Sequence, residues 1–448
     1  MLVNINREPT IRVGFLTGAR AVRFALSGRF ETGDGSAAKE GDYSASVDGG
    51  AVNIEGIARS PEITLFPADL DSCRFTVHGV KIGIDFHWER QESQQFQGAL
   101  KLAVQEDTLT LINELPLESY LVSVISSEMS AACPSELLKA HSVVSRSWLL
   151  AQLRTVAKSS ADQNTLSKDP EGEIIRWYDR ESHRGFDVCA DDHCQRYQGI
   201  GKAFSQTAFE AVRDTRGKAL VYDDETCDAR YSKSCGGMTE VYGAAWENKD
   251  VPYLQSIYDQ SQSEPTGYRL PLSAEANAEV WITSSPPAFC GMVTPELLAL
   301  IATDYDQETA DFYRWQVDYS QEELSEIVHS RYGMDFGRIR ELKPLERGES
   351  GRISRLRIVG EKRALVIGKE LEIRRALSRS HLYSSAFVVR ASAGDLSDYP
   401  ERFTLIGAGW GHGVGLCQIG AAVMADRGHS YQEILSHYFK GAELTGLY

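Results

Sequence analysis

Residues Leu117–Met129 read LESYLVSVISSEM. Leu117, Tyr120, Leu121, Val124 and Ile125 recur at the three-and-four spacing of one helical face, which predicts a helix buried along that face. The next position on the stripe is Glu128. A carboxyl group at the end of an apolar stripe is partly desolvated, which disfavours its charged form and raises its pKa. A glutamate kept protonated near neutral pH can act as a general acid. The competing reading is a helix-end glutamate turned to solvent, the usual place for this residue type.

Upstream, GALKLAVQEDTLTLINEL (98–115) alternates as a hairpin around Glu106 and Asp107. Residues 1 to about 112 carry further short alternating runs: IRVGFL (11–16), VRFALSG (22–28), YSASVDG (43–49), AVNIEGIA (51–58) and FTVHGVKIGIDFHW (75–88). Downstream, helical patterning continues to about 158, with Pro134 suited to a helix's first turn and Glu136 beside it at the positive end of the dipole. Residues 159–182 are polar and read as a loop. A second β-rich stretch is expected over roughly 185–260, with KALVYDD and DARYSKSCGG as its clearest signals. Residues 292–333 read as helical, strands resume in ISRLRIVG and RALVIGKELEIRRAL, and short helices close the chain. Runs of strands followed by runs of helices predict an α+β fold.

At 448 residues the chain has length for two to four domains. Its 42% hydrophobic and 25% charged content is that of a globular protein. A formal charge of −16 argues against a nucleic-acid partner, because such a surface repels phosphates. There is no apolar run of about 18 residues, hence no expected membrane span. The N-terminal MLVNINREPTIRVGF lacks the basic and apolar regions of a secretion signal.

Four constellations carry chemistry. Lys139 and Arg146, seven residues apart, share a helical face after Glu128. They can favour its charged form, bind an anionic substrate group such as a lactyl carboxylate, or form a solvated face. His183, Cys189, His193 and Cys194 offer two imidazoles and two thiols within twelve positions, a donor set that suits zinc, against a disulfide or free thiols. GAGWGHGVGLCQIGA (407–421) has glycines dense enough for a loop lining a ligand groove, and lacks the Lys-Ser/Thr of a phosphate loop. Trp410 in it can stack on a sugar or fill core. Cys235, in a Cys-Gly-Gly turn, is either a nucleophile with His412 as base or a buried thiol.

These segments together resemble the SpoIID/LytB family. The resemblance runs in order through NELPLESYLVSVISSEM (113–129), PSELLKAHSVVSRSWLL, ARYSKSCGGMTE (229–240), VPYLQS (251–256), SGRISRLRIVG (350–360), ELEIRRAL (370–377) and the segment from Gly409 to Leu444. It implies a catalytic core of helices and antiparallel sheets around a groove, formed by 113–261 with the zinc loop and by 346–448 with the GWGHGVG loop. Residues 1–112 form a β-rich region before the core, and 262–345 a mainly helical insertion or subdomain. It also implies a lytic transglycosylase acting on peptidoglycan glycan strands in the cell envelope, or a non-catalytic amidase enhancer working with a cell-wall amidase. By resemblance Glu128 is the acid/base residue, and Lys139, Arg146, Tyr253, Trp410, His412 and Gln418 contact substrate. His183, Cys189, His193 and Cys194 hold the zinc that some members carry. Gln255 stands where active members often have a basic residue.

A single carboxyl group fits transglycosylation. Ordinary glycosidases flank the bond with two carboxylates. In the lytic reaction one glutamic acid protonates the β-1,4 glycosidic oxygen. As carboxylate it then assists the N-acetylmuramic acid 6-hydroxyl in closing a 1,6-anhydro ring, an intramolecular attack with high effective concentration.

Overall fold

The protein is described by a computed structural model covering residues 7–82, 90–130, 132–158, 166–168, 172–178, 183–191, 194–201, 205–261, 265–301, 311–393 and 399–448. It is an α+β fold whose chain divides into two compact units. The first comprises Met1–Arg146, Ser182–Ala219 and Thr445–Tyr448, and the second Ser147–Glu181 and Leu220–Leu444.

In the first unit, a seven-stranded sheet runs in the order Val188–Cys189, Thr10–Ala19, Thr108–Pro116, Ala99–Gln105, Glu62–Pro67, Phe30–Thr32, Ala37–Ala38. A six-stranded sheet carries Arg74–Ile82 between Arg90–Phe96 and Ala21–Ser27. Phe15 of the first sheet packs on Phe96 of the second at 4.4 Å between ring centroids, and Phe96 stacks on Phe75 at 5.2 Å. The alternation read in the sequence therefore faces one shared core. The hairpin turns at Glu106 and Asp107, with φ of 48° and 58°, the left-handed pair that matches strand twist in a two-residue loop. The second half of FTVHGVKIGIDFHW lies outside the described residues.

The helix α1 (Leu117–Glu128) follows that hairpin directly. Leu117, Tyr120, Leu121, Val124 and Ile125 are all fully buried, as their spacing requires. Met129 is already extended, so the helix ends at Glu128, while the Met129 N–H still bonds the Ile125 carbonyl. The helix α2 (Ser135–Lys158) starts just after Pro134, whose carbonyl accepts from the Leu138 N–H at 3.2 Å.

The second unit holds a five-stranded sheet (Leu166–Lys168, Ile174–Arg176, Ala364–Gly368, Ile353–Gly360, Ile339–Arg347) and a three-stranded one (Arg314–Ser320, Pro400–Ala408, Phe387–Ala393). The helix Gln321–Tyr332 contributes Leu324, Ile327 and Val328 to their common core. Four expectations need correction. Within 159–182, read as a loop, Leu166–Lys168 and Ile174–Arg176 pair as strands. In RALVIGKELEIRRAL only Ala364–Gly368 is a strand, Glu370–Ala376 being a helix. The segment 292–333 is not helical throughout: Arg314–Ser320 is a strand, and its buried Trp315 and Tyr319 fall on one face at multiples of the two-residue period. The stretch 185–260 is less β-rich than expected. Gln206–Asp214 is a helix capped by Ser205, whose hydroxyl accepts from the Ala208 N–H at 3.2 Å, with Ala208, Ala211 and Val212 buried.

The glycine loop has a structural explanation. Arg352 is 1% exposed. Its Nε donates to the Gly411 carbonyl at 3.1 Å, and its Nη1 donates to the Cys235 carbonyl at 3.1 Å and to the Ser350 hydroxyl at 2.9 Å. Gly413 has φ of +75°, and a methyl group there would overlap the guanidinium. The glycines thus admit an arginine of the same unit. Gly413→Ala should cost about 1–3 kcal/mol in backbone strain, plus the displaced guanidinium bonds. Gly428, with φ of +88° and open space around it, should lose only the strain on the same change. Urea unfolding midpoints of the two variants check the difference.

Candidate active site

Glu128 is half-buried at the last position of α1. Its Oε1 accepts the Arg196 backbone N–H at 3.0 Å. Arg196 belongs to the loop that carries the metal-type donors, so the acid and that loop are held in register. Behind them, Tyr120 is fully buried, stacks on Tyr197 at 5.3 Å, and donates its hydroxyl proton to Gln195 Oε1 at 3.2 Å. Gln195 in turn donates to the Ser145 carbonyl at 3.4 Å. Burial first, then the nearby Cys194 and Cys189 thiols and Glu128, push the Tyr120 phenol far above its ordinary range. It stays protonated and acts as a donor.

His183, Cys189 and Cys194 bring their ligand atoms within 4.8 Å of one another. His183 Nε2 lies 3.2 Å from Cys194 Sγ, and its ring stacks on Phe186 at 4.7 Å. Cys189 sits on the short strand Val188–Cys189, paired in parallel with Val13 and Gly14. Cys194 is placed by a turn in which its N–H donates to the Asp191 carbonyl at 2.9 Å. Two thiols and an imidazole at this separation fit one tetrahedral ion, which takes one ligand more. His193 lies outside the described residues. A cavity of about 440 Å³ opens beside this cluster, lined among others by Gly14, Leu16, Lys81, His183, Cys189 and Arg196.

The two cations expected near Glu128 are placed differently. Arg146 is fully buried and makes a two-pronged pair with Glu118, Nε to Oε1 at 3.0 Å and Nη2 to Oε2 at 2.6 Å. Its Nη1 donates to the Lys218 carbonyl at 3.0 Å. Glu118 also accepts from the Gly217 N–H at 3.1 Å and from the Tyr448 hydroxyl. A guanidinium committed in this way binds no substrate anion. The helix-face spacing correctly put Lys139 and Arg146 on one side of α2, but it did not reveal the carboxylate opposite. Lys139 pairs with Glu136 at 2.9 Å and Asp214 at 3.7 Å.

Tyr253, Trp410, His412 and Gln418 belong to the second unit. The Tyr253 hydroxyl accepts the Asp228 N–H at 2.9 Å, and burial raises its pKa. Asp228 pairs with Arg230 at 2.8 Å, Arg230 lies over the Trp246 ring at 4.5 Å, and Trp246 meets His412 at 4.8 Å. These contacts link Tyr253 to His412 through one polar and aromatic cluster. His412 Nδ1 accepts the Val414 N–H at 3.0 Å. Burial, reinforced by Arg230, Arg352 and Arg374, holds its pKa well below the ordinary value. With Nδ1 taken by the Val414 N–H, the neutral ring carries its proton on Nε2 and has no free nitrogen to act as a base for Cys235. Trp410 stacks on Tyr383 at 4.2 Å and meets Phe312 at 4.8 Å, which makes its ring part of an aromatic layer. Gln418 is 3% exposed at the first turn of the helix Gln418–Asp426.

Residues 105–222 match the family model "Stage II sporulation protein" (SpoIID). The chain is 23% identical over 334 residues to stage II sporulation protein D of Bacillus amyloliquefaciens, covering 75% of each. It is 20% identical over 338 residues to that of Bacillus subtilis (strain 168), covering 75% of this chain and 76% of the relative. These matches support assignment of the chain to the SpoIID/LytB family. An amidase enhancer of Bacillus subtilis (strain 168) is 22% identical over 329 residues, which is 72% of this chain and 40% of that protein. A second model, a domain of unknown function (DUF8618), matches residues 240–415. Such relatives suggest a cell-wall-related function. The SpoIID match includes Glu128 and the His183–Cys194 loop, whereas Tyr253, Trp410 and His412 fall in the other. Arg196 and Gln195 are residues beside Glu128 that no sequence signal singled out, because a backbone N–H and a buried neutral side chain leave no motif; Tyr120 reads only as part of the apolar stripe.

Proposed function

We propose that this SpoIID/LytB protein is a peptidoglycan lytic transglycosylase with Glu128 as its single acid/base residue. The observation that carries the reading is Glu128 itself: a half-buried carboxyl group closing a fully buried apolar stripe, oriented by the Arg196 N–H at 3.0 Å. In the protonated form it gives its proton to the glycosidic oxygen between N-acetylmuramic acid and N-acetylglucosamine. The resulting carboxylate takes the proton of the muramyl 6-hydroxyl as that oxygen closes on C1. The acid is regenerated, and no water is consumed. The cavity lined by Leu16, Lys81 and Arg196 offers a place for a sugar next to the loop that fixes the acid.

His183, Cys189 and Cys194, with His193 as fourth donor by sequence, would hold a zinc ion. Four protein ligands make such an ion structural, a clamp on the loop whose Arg196 N–H orients Glu128. Cys189→Ser should lower bound zinc, measured by elemental analysis, and lower the melting temperature, because ligand binding is coupled to folding. Unchanged metal content would remove the assignment.

The reading is tested by digesting glycan strands freed of stem peptides and weighing the fragments. Anhydro-ended fragments support it, and intact strands exclude catalysis on this substrate. The amidase-enhancer relative favours a second reading, a glycan-binding protein that stimulates an amidase. That reading expects strand binding and amidase stimulation without cleavage.

A further inference from the structure

The second unit contains another convergence of donors, which lies outside the proposed active site. Cys235, Asp259, Cys290 and Cys417 come from four distant places in the chain, yet their ligand atoms all lie within 4.8 Å of one another. All four are essentially buried, at 2%, 0%, 1% and 0% exposure. We propose that these four residues form a tetrahedral Cys3Asp site for a divalent ion of zinc's class, distinct from the His183/Cys189/Cys194 cluster.

The geometry suits one ion. A tetrahedral centre with metal–sulfur bonds of about 2.3 Å separates its sulfurs by about 3.8 Å. Cys235 Sγ and Cys290 Sγ are 3.6 Å apart, which is close to that separation and far from the roughly 2.05 Å of a disulfide. The fourth donor is a carboxylate that needs a cation. Asp259 is fully buried, and among the described residues its only cationic partner within 4.0 Å is His437, at 3.9 Å. A buried carboxylate without a close counter-charge is costly, and a metal ion removes that cost.

The surroundings hold each donor in place. The Tyr438 hydroxyl donates to Asp259 Oδ1 at 2.7 Å and the Cys290 N–H to Oδ2 at 3.0 Å, the outer hydrogen bonding that orients a ligating carboxylate. Cys417 Sγ accepts the Cys235 N–H at 3.2 Å. The Asp259 N–H bonds the Gly237 carbonyl at 3.0 Å, so the Cys-Gly-Gly turn fixes two of the donors at once. Gly420 completes the fit: a methyl group there would overlap the Tyr438 hydroxyl and the Asp259 carboxylate. On binding, three thiols release their protons to solvent and the metal keeps its oxidation state, so no redox partner is needed. The ion pins the Cys235 turn, the Asp259 segment, the short helix at Cys290 and the start of the helix Gln418–Asp426 to one point.

The test uses the full chain carrying Cys189→Ser and Cys194→Ser, which disables the other cluster, loaded with cobalt(II). About one equivalent of bound cobalt should remain, with the intense thiolate charge-transfer and visible bands of a tetrahedral site. X-ray absorption should fit three sulfurs and one lighter ligand. Adding Cys290→Ser should reduce cobalt to near zero, and Asp259→Asn should weaken its retention at least tenfold. If Cys290→Ser fails to fold, the spectrum and stoichiometry of the double variant decide alone. Three results overturn the proposal: a double variant that binds no cobalt while its remaining thiols titrate freely after denaturation, a Cys235–Cys290 disulfide by mass, or cobalt binding unchanged by Cys290→Ser.

Discussion

Glu128→Gln should abolish strand cleavage while leaving strand binding within a few-fold. Glutamine is nearly the same shape and can still accept the Arg196 N–H, so the end of α1 and the donor loop stay in place. It cannot give a proton to the glycosidic oxygen or receive one from the 6-hydroxyl. General acid–base catalysis by a positioned side chain is worth about 10²–10⁴-fold. Because one residue serves both steps here, the loss should lie at or above the top of that range. The measurement pairs product quantification with sedimentation of the protein on insoluble denuded strands. Cleavage within tenfold of the parent would remove Glu128 from the chemistry. Lost binding together with lost stability would instead mark it as structural.

Arg146→Ala should destabilise the first unit by about 3–5 kcal/mol, the usual cost of leaving one half of a buried ion pair without its partner. Glu118 would keep the Gly217 N–H and the Tyr448 hydroxyl, but its negative charge would remain buried without its ion-pair partner. The companion variant is Glu118→Gln with Arg146→Met. It replaces the pair by neutral groups of similar size and keeps an acceptor for Gly217, and it should recover more than half of the loss. Chemical unfolding of the three variants gives the comparison. The outcome also separates two roles for Arg146. A substrate ligand would raise KM in Arg146→Ala without lowering stability, whereas the buried pair lowers stability and leaves KM of the folded fraction near the parent value.

The contrast between these two residues shows what a sequence can carry. The α1 stripe was legible because five apolar positions at helical spacing have one physical solution, burial along a face. The 98–115 hairpin was legible because alternation and turn agreed. Arg146 was misplaced in function because its partner, Glu118, lies across a packed interface 28 residues away, and helix periodicity fixes only which side a residue points to. The strand Arg314–Ser320 was hidden because it runs straight into the helix Gln321–Tyr332 with no glycine or proline between them. The glycine loop was recognisable as unusual, but its reason is the guanidinium of Arg352, brought in by tertiary structure. The Cys235/Asp259/Cys290/Cys417 convergence was invisible for the same reason. Its donors have no local spacing, unlike His183, Cys189 and Cys194, which fall within twelve positions of the sequence.

The central claim is that the muramyl 6-hydroxyl, not water, attacks the glycosidic carbon under the control of Glu128. It is tested most directly by digesting denuded glycan strands in ¹⁸O-enriched water and weighing the new muramyl ends. The account expects anhydro ends, one water lighter than reducing ends and free of ¹⁸O, that vanish in Glu128→Gln. Reducing ends carrying one ¹⁸O would contradict it and make the protein a hydrolase.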